Sequence, residues 1–285
     1  MSQLPLLEPR RPDSHKGDYG RALLVGGSRG MPGAIALAGM AALRGGSGLV
    51  TLAVPEGIQQ TVAGYEPSYM TIALPEESRG EVGPGALEEL EARLDDFDGV
   101  GLGPGLGQGE SAGQLVLQLY QQLPCPLVLD ADALNLLAGK CDGLEAAGPR
   151  IFTPHPGEFR RLLGSDLASR DALETAAVDW AARQQAVLVL KGHQSLVTDG
   201  ELSFHNTSGN AGMATGGSGD VLTGLLVALL CQGLPPLDAA RLAVYLHGLA
   251  GDLAAEELGQ QALIASDLVD FLGPAFLQYL AVDVD

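Results

Sequence analysis

The chain has 285 residues, 46% of them hydrophobic and 18% charged, which suits one large α/β domain and excludes disorder as its main state. Its 16 Lys and Arg against 35 Asp and Glu give a net charge of −19, a field that repels nucleic acid and anionic membranes. The same field repels nucleotides, so any phosphate site must be built locally from backbone amides and a few cations.

Met1–Arg11 contains no apolar segment of the kind a secretory signal needs. Ala22–Val25, Leu49–Val54, Thr71–Leu74, Gly99–Leu102, Leu127–Leu129, Ile151–Thr153 and Val187–Leu190 read as short buried strands. Leu196–Thr198 and Leu202–His205 flank Asp199-Gly200 and read as a hairpin. Helices are predicted over Ala34–Arg44, Ala86–Leu94, Ala112–Gln122, Gly157–Leu163, Arg170–Gln184, Asp220–Cys231, Asp238–Glu257 and Ser266–Gln278. Strands alternating with helices predict an α/β fold, a mostly parallel sheet with helices on both faces. No linker or repeat divides the chain, so residues 1–285 read as a single domain. The longest apolar run, Val221–Leu230, is broken by Gly224 and too short to span a membrane. Cys125, Cys141 and Cys231 have neither disulfide-motif nor zinc-ligand spacing and read as free thiols in a reducing, cytoplasmic setting.

The strongest chemical signal is Gly216-Gly-Ser-Gly-Asp220 in front of an apolar helix. Such a loop lets amides converge on one point, and the helix N-terminus adds partial positive charge. Asp220 then stands where a carboxylate takes the proton of a hydroxyl attacking a phosphoryl group. The bland alternative is that Asp220 only caps the helix, although a cap does not need the preceding small residues. Lys191-Gly-His-Gln-Ser195 follows a strand and gathers a cation, amides and a hydroxyl in one turn; an isolated lysine there would merely guard a sheet edge. His155, braced by Pro154 and Pro156, is either a ligand contact or a turn histidine. Asp130 and Asp132 are weak candidates for holding magnesium through water; alternatively Asp132 caps a helix starting at Ala133. Gly45, Gly46 and Gly48 read as a helix C-cap and turn. No Walker A loop and no strict GxGxxG occurs, which counts against P-loop enzymes and Rossmann dehydrogenases.

The Gly-Gly-Ser-Gly-Asp stretch resembles the anion-hole and catalytic-base signature of ribokinase-like kinases. The segments His15–Ser28, Gly45–Thr51, Gly103–Gly107, Leu129–Asn135, Thr153–Glu158 and Lys191–Ser195 narrow the resemblance to the nucleotide-dependent NAD(P)H-hydrate dehydratases. The resemblance implies repair of NADHX and NADPHX, with phosphorylation of the hydrate by ADP or ATP, magnesium as cofactor, and a homo-oligomer, a tetramer in form. It implies Asp220 as base and hydrate contact, with Gly217, Ser218 and Gly219 as anion hole. Lys191, Gly192, His193, Gln194, Ser195 and Gly219 would line the nucleotide; Ala42, Gly105 or Gly107, and His155 would contact the hydrate. The chain opens almost directly on the dehydratase segment, so a separate epimerase is the expected functional partner. A thiazole or sugar kinase of the same fold shares the final motif, and a nucleotide sensor without turnover remains the alternative from another class.

Overall fold

The structure is a computed structural model describing residues 4–282; the ends of the expected 1–285 domain, residues 1–3 and 283–285, lie outside the described residues. Nine strands form one sheet: β1 (Arg21–Val25), β2 (Leu49–Pro55), β3 (Met70–Leu74), β4 (Gly99–Leu102), β5 (Leu127–Leu129), β6 (Arg150–Phe152), β7 (Val187–Leu190), β8 (Leu196–Thr198) and β9 (Ser203–His205). Their order is β3-β2-β1-β4-β5-β6-β7-β8-β9. Every pair through β7 is parallel; β8 and β9 close the edge antiparallel. The predicted hairpin turn is made by Asp199, whose Oδ1 accepts from the amides of Glu201 (3.0 Å) and Leu202 (2.8 Å).

The helices are α1 (Pro32–Arg44), α2 (Glu56–Ala63), α3 (Ala86–Glu91), α4 (Glu110–Gln122), α5 (Ala131–Leu137), α6 (Pro156–Leu163), α7 (Arg170–Gln184), α8 (Ser218–Cys231), α9 (Pro236–Leu258) and α10 (Ala265–Val282). Successive strand residues point to opposite faces, so the core splits in two: Leu24 and Leu52 pack with α1, α8, α9 and α10, while Leu23 and Leu102 pack with α3 to α7. This double coverage explains the continuous apolar strands. Helix α8 is apolar all round because Val221 through Cys231 are buried between the sheet and the surrounding helices. Gly224 lets α1 cross it closely: a Cβ there would stand 1.9 Å from the Ala38 carbonyl oxygen. Among the described residues, no helix is long and apolar enough to cross a membrane.

Some boundaries differ from the sequence reading for physical reasons. β6 begins at Arg150, which is 2% exposed. Its guanidinium donates to the carbonyls of Tyr120, Leu123, Cys125 and Pro149, closing the C-terminal end of α4. Helix α2 was not anticipated: its short polar sequence buries only Ile58 and Val62. Helix α3 stops at Glu91 and gives way to a tight turn at Leu94–Asp96. Gly45 caps α1 and Gly46 adopts φ +100, as expected of a C-cap and turn. The three cysteines are free thiols, Cys141 and Cys231 being buried.

Candidate active site

Three neighbouring strands end on the same edge and deliver one residue set: Asp130 follows β5, Thr153 to His155 follow β6, and Lys191 follows β7. Beyond the carboxyl ends of strands is where open α/β sheets bind ligands. Asp130 is only 1% exposed. Its Oδ1 accepts from Lys191 Nζ at 2.7 Å and its Oδ2 from Thr223 Oγ1 at 2.8 Å, tying the strand end to the second turn of α8. Glu158 is also buried, its Oε2 3.9 Å from Lys191 Nζ. Burial alone would lower the Lys191 pKa, but the Asp130, Glu158 and Asp220 carboxylates outweigh it and hold the ammonium above the ordinary lysine value. Burial pushes the Glu158 carboxyl up, with Lys191 opposing.

Helix α8 begins at Ser218, two residues earlier than the sequence reading, and its N-cap is Gly217 at φ +98. Asp220 therefore occupies the third helical position and is not the cap. The first-turn amides of Ser218, Gly219 and Asp220 have no acceptor within the helix; that of Ser218 reaches Thr215 O at 3.4 Å. The Ser218 hydroxyl is committed to Met213 O at 2.7 Å. A Cβ on Gly219 would lie 3.1 Å from Lys191 Nζ, so the ammonium and these amides flank one point. Burial, then the Asp130 charge, raise the Asp220 pKa to about 7, against the pull of Lys191. A carboxylate tuned to that value is suited to exchanging a proton near neutrality.

A cleft of about 550 Å³ runs from this point. Its lining includes Lys191 to Ser195, Ser218 and Gly219, closed by Met213, Leu222, Val244 and His247. Asn206, Ser208 and Asn210 supply the polar side. The five residues Lys191, Gly192, His193, Gln194 and Ser195 thus share one wall, although the Ser195 hydroxyl is spent within the turn, 3.1 Å from Gly192 O. His247 donates from Nε2 to Ser218 O at 2.9 Å, and burial lowers its pKa to about 4, so the ring is neutral.

The residues expected on the other side do not line this cleft. His155 caps α6: its Nδ1 accepts the amides of Gly157 (3.0 Å) and Glu158 (3.3 Å), leaving the proton on Nε2. Burial, then Lys191 and Arg161, lower its pKa. Gly105 (φ +62) and Gly107 (φ +85) are buried, and Gly107 N donates to Asp132 Oδ2 at 2.9 Å. Ala42 is 0% exposed, its side chain part of the core that α1 forms with α8. Asp132 neither caps a helix nor pairs with Asp130; α5 starts at Ala131, and the second Asp132 oxygen accepts from Gln108 Nε2 at 3.0 Å. Each oxygen of both aspartates already accepts one hydrogen bond. Among the described residues no three His, Cys, Asp or Glu side chains group to hold a metal.

The profile of the NAD(P)H-hydrate dehydratase family matches residues 22–273. The chain belongs to that family. The bifunctional NAD(P)H-hydrate repair enzyme Nnr of Moorella thermoacetica is 48% identical over the whole chain, which covers 53% of that protein. The ADP-dependent (S)-NAD(P)H-hydrate dehydratase of Bacillus subtilis is 38% identical, with 93% of this chain and 92% of that protein covered. A crystal structure of the ADP/ATP-dependent NAD(P)H-hydrate dehydratase from Bacillus subtilis, co-crystallised with ATP/Mg2+, superposes with a TM-score of 0.81 at 34% identity, covering 96% of this chain and 94% of that one. The fold is the ribokinase-like α/β fold expected from the sequence. The chain spans about half the length of the bifunctional relatives it matches. Family membership favours the dehydratase segments over the thiazole- or sugar-kinase reading of the Gly-Gly-Ser-Gly-Asp stretch.

Sequence reasoning missed three contributors: Glu158, Thr223 and His247. Glu158 was hidden because His155-Pro-Gly-Glu158 is locally explained as a capping box, with His155 N donating to Glu158 Oε2 at 2.8 Å.

Proposed function

We propose that this chain dehydrates the S form of NADHX and NADPHX to NADH and NADPH, driven by phosphoryl transfer from ADP or ATP. The observation that carries the reading is Asp220: a carboxyl poised at about 7, one residue beyond Gly219 and flanked by the Lys191 ammonium and the open first turn of α8. The nucleotide occupies the cleft along Lys191–Ser195, its terminal phosphoryl group facing Gly217, Ser218 and Gly219. The hydrate approaches from the side of Gly105, Gly107 and His155. Asp220 takes the proton of the hydrate's hydroxyl as that oxygen attacks phosphorus, and the shortened nucleotide leaves. The first-turn amides and Lys191 stabilise the transferring anion.

The phosphate ester does not persist. The hydroxyl-bearing carbon adjoins the ring nitrogen, whose lone pair expels phosphate. A proton then leaves the next ring carbon, completing the loss of water. Among the described residues no three His, Cys, Asp or Glu side chains group to hold a metal, so magnesium is read as accompanying the nucleotide, and no step runs through it. The same reading makes residues 1–285 one dehydratase domain, cytoplasmic and homo-oligomeric, with a tetramer as the expected form. An NAD(P)HX epimerase activity supplies it with the S form. The test measures phosphate, reduced cofactor and nucleotide product together. One of each should appear per nucleotide consumed, with no turnover in its absence; a stable phosphorylated alcohol, or nucleotide-independent dehydration, overturns the reading.

A further inference from the structure

Helix α7 begins with a local contradiction. Arg170 is its first helical residue, after the Ser169 cap, at the end where the helix dipole disfavours a cation. Its intrahelical partner Glu174 follows it, the weaker order for an i,i+4 pair. Such conflicts between local preference and fold mark positions held for another purpose.

The contacts give that purpose. Arg170 Nε donates to Glu174 Oε1 at 2.5 Å. The other Glu174 oxygen meets His205 Nε2 at 2.9 Å, at the end of β9. The far side of the guanidinium lies against the turn after β7: Nη2 reaches Gln194 O at 3.4 Å, and a Cβ on Gly192 would stand 2.8 Å from Nη1. That turn is unusual backbone: Gly192 takes φ +150, open to glycine, and the non-glycine Gln194 takes φ +54, a conformation that persists only where the surroundings impose it. Asn206, the next residue after His205, donates its amide to Ser195 O at 2.9 Å. The chain Arg170–Glu174–His205 therefore braces, from outside, two adjoining segments of the cleft lining, Lys191–Ser195 and the stretch that starts at Asn206. Arg170 itself does not line the cleft.

We propose that Arg170 is a positioning residue for nucleotide binding: anchored by Glu174 and His205, it holds the Gly192–Gln194 turn, whose Gly192 amide is spent on Ser195 Oγ at 3.2 Å, so that the amides of His193 and Gln194 face the phosphate chain. This rests on the reading of the cleft as the nucleotide site. Lysine cannot substitute, because an ammonium does not reach the Glu174 carboxylate and the Gln194 carbonyl in the fixed planar geometry of a guanidinium.

The experiment is calorimetric titration of ADP, and of ATP, into wild type, R170A, R170K, E174A and R170A/E174A, with kcat and both KM values for each. R170A should raise the nucleotide Kd and KM about tenfold while kcat at saturation and the hydrate KM stay within about twofold. R170K should not restore binding. E174A should show the same split in smaller measure, and the double variant should be no worse than R170A, since both act through one contact. E174A keeps the test alive if R170A folds poorly. An unchanged nucleotide Kd in R170A and E174A, an equal loss in the hydrate KM, or additive effects overturn the proposal alone. A wild type that binds neither nucleotide overturns the reading of the cleft and the proposal with it.

Discussion

The two glycine-rich loops, Gly103–Gly107 and Gly216–Gly219, look alike in sequence and differ in how much space surrounds them. In the first, protein fills the room a side chain would need: a Cβ would stand 1.9 Å from Asp130 O at Gly103, 2.9 Å from Met31 O at Gly105 and 2.5 Å from the Glu81 carboxyl at Gly107. In the second, Gly217 is packed, a Cβ there standing 2.7 Å from Leu37 Cδ1 and 2.8 Å from Ala265 Cβ, but Gly216 faces nothing within 4 Å and Gly219 meets only the ends of Lys191 and Asp130. Glycine in the first loop permits close packing of chain on chain, and at Gly216 and Gly219 of the second it clears a space that the protein leaves open. The open loop is the one backed by a cation and a tuned carboxyl.

The largest effect should fall on that open side. Asp220→Asn keeps the shape and removes the proton acceptor, so turnover should drop roughly 100- to 10,000-fold with ADP still bound. Single-turnover kinetics on the purified variant check this; a variant keeping most of its kcat removes Asp220 from the base role.

Lys191→Met tests what the ammonium does for the fold. It would leave the Asp130 and Glu158 carboxylates, 1% and 6% exposed, without their cation. Breaking a buried pair by removing one partner costs about 3–5 kcal/mol. Denaturant unfolding should show a loss of that size, partly recovered in Lys191→Met/Asp130→Asn. If Lys191→Met is as stable as wild type, the cluster is wetter than its burial indicates.

A glycine pair separates the two loops directly. Gly103→Ala should destabilise by about 2–4 kcal/mol, from clash with backbone and from strain at a positive φ. Gly219→Ala should fold normally or gain up to about 1 kcal/mol from helix propensity. Its methyl would still stand where the phosphoryl anion approaches, so activity should fall. Melting curves and turnover on both proteins decide it; the reverse pattern would exchange the roles given to the loops.

What the sequence made legible follows the same division. The mostly parallel sheet could be anticipated because buried parallel strands are apolar on both faces, and all nine strands begin and end at or within a residue of their expected limits because turn chemistry is local: Asp199-Gly200 is the example. The signature loops were visible because their composition is extreme. Glu158, Thr223 and His247 were not, because each acts on a partner brought close only by folding, across 33, 93 and 29 positions respectively. Ala42 shows the converse: its place in a resembling segment says nothing of the apolar core that buries its side chain.

The smallest effect links the site to stability through pH. Asp220 rises from an ordinary value of 3.8 to about 7 on folding, burial being the first cause and the Asp130 charge the second. Between those values the folded chain holds a proton that the unfolded chain has released. The neutral carboxyl therefore contributes stability that is complete below 3.8 and is lost as pH rises through about 7. Above that point the wild type carries a desolvated charge that Asp220→Asn lacks. The variant should melt higher than wild type at pH 8, by roughly a few degrees for a chain of this size, and the gap should close as the pH approaches 4. Turnover should move the other way, rising through pH of about 7 as the base ionises. The carboxylate that makes the loop reactive is the one that weakens the fold, a trade expected where an active site is strained for function. A melting difference that does not change with pH would mean that Asp220 is solvated like a surface carboxylate, and the open loop would lose its claim to a tuned base.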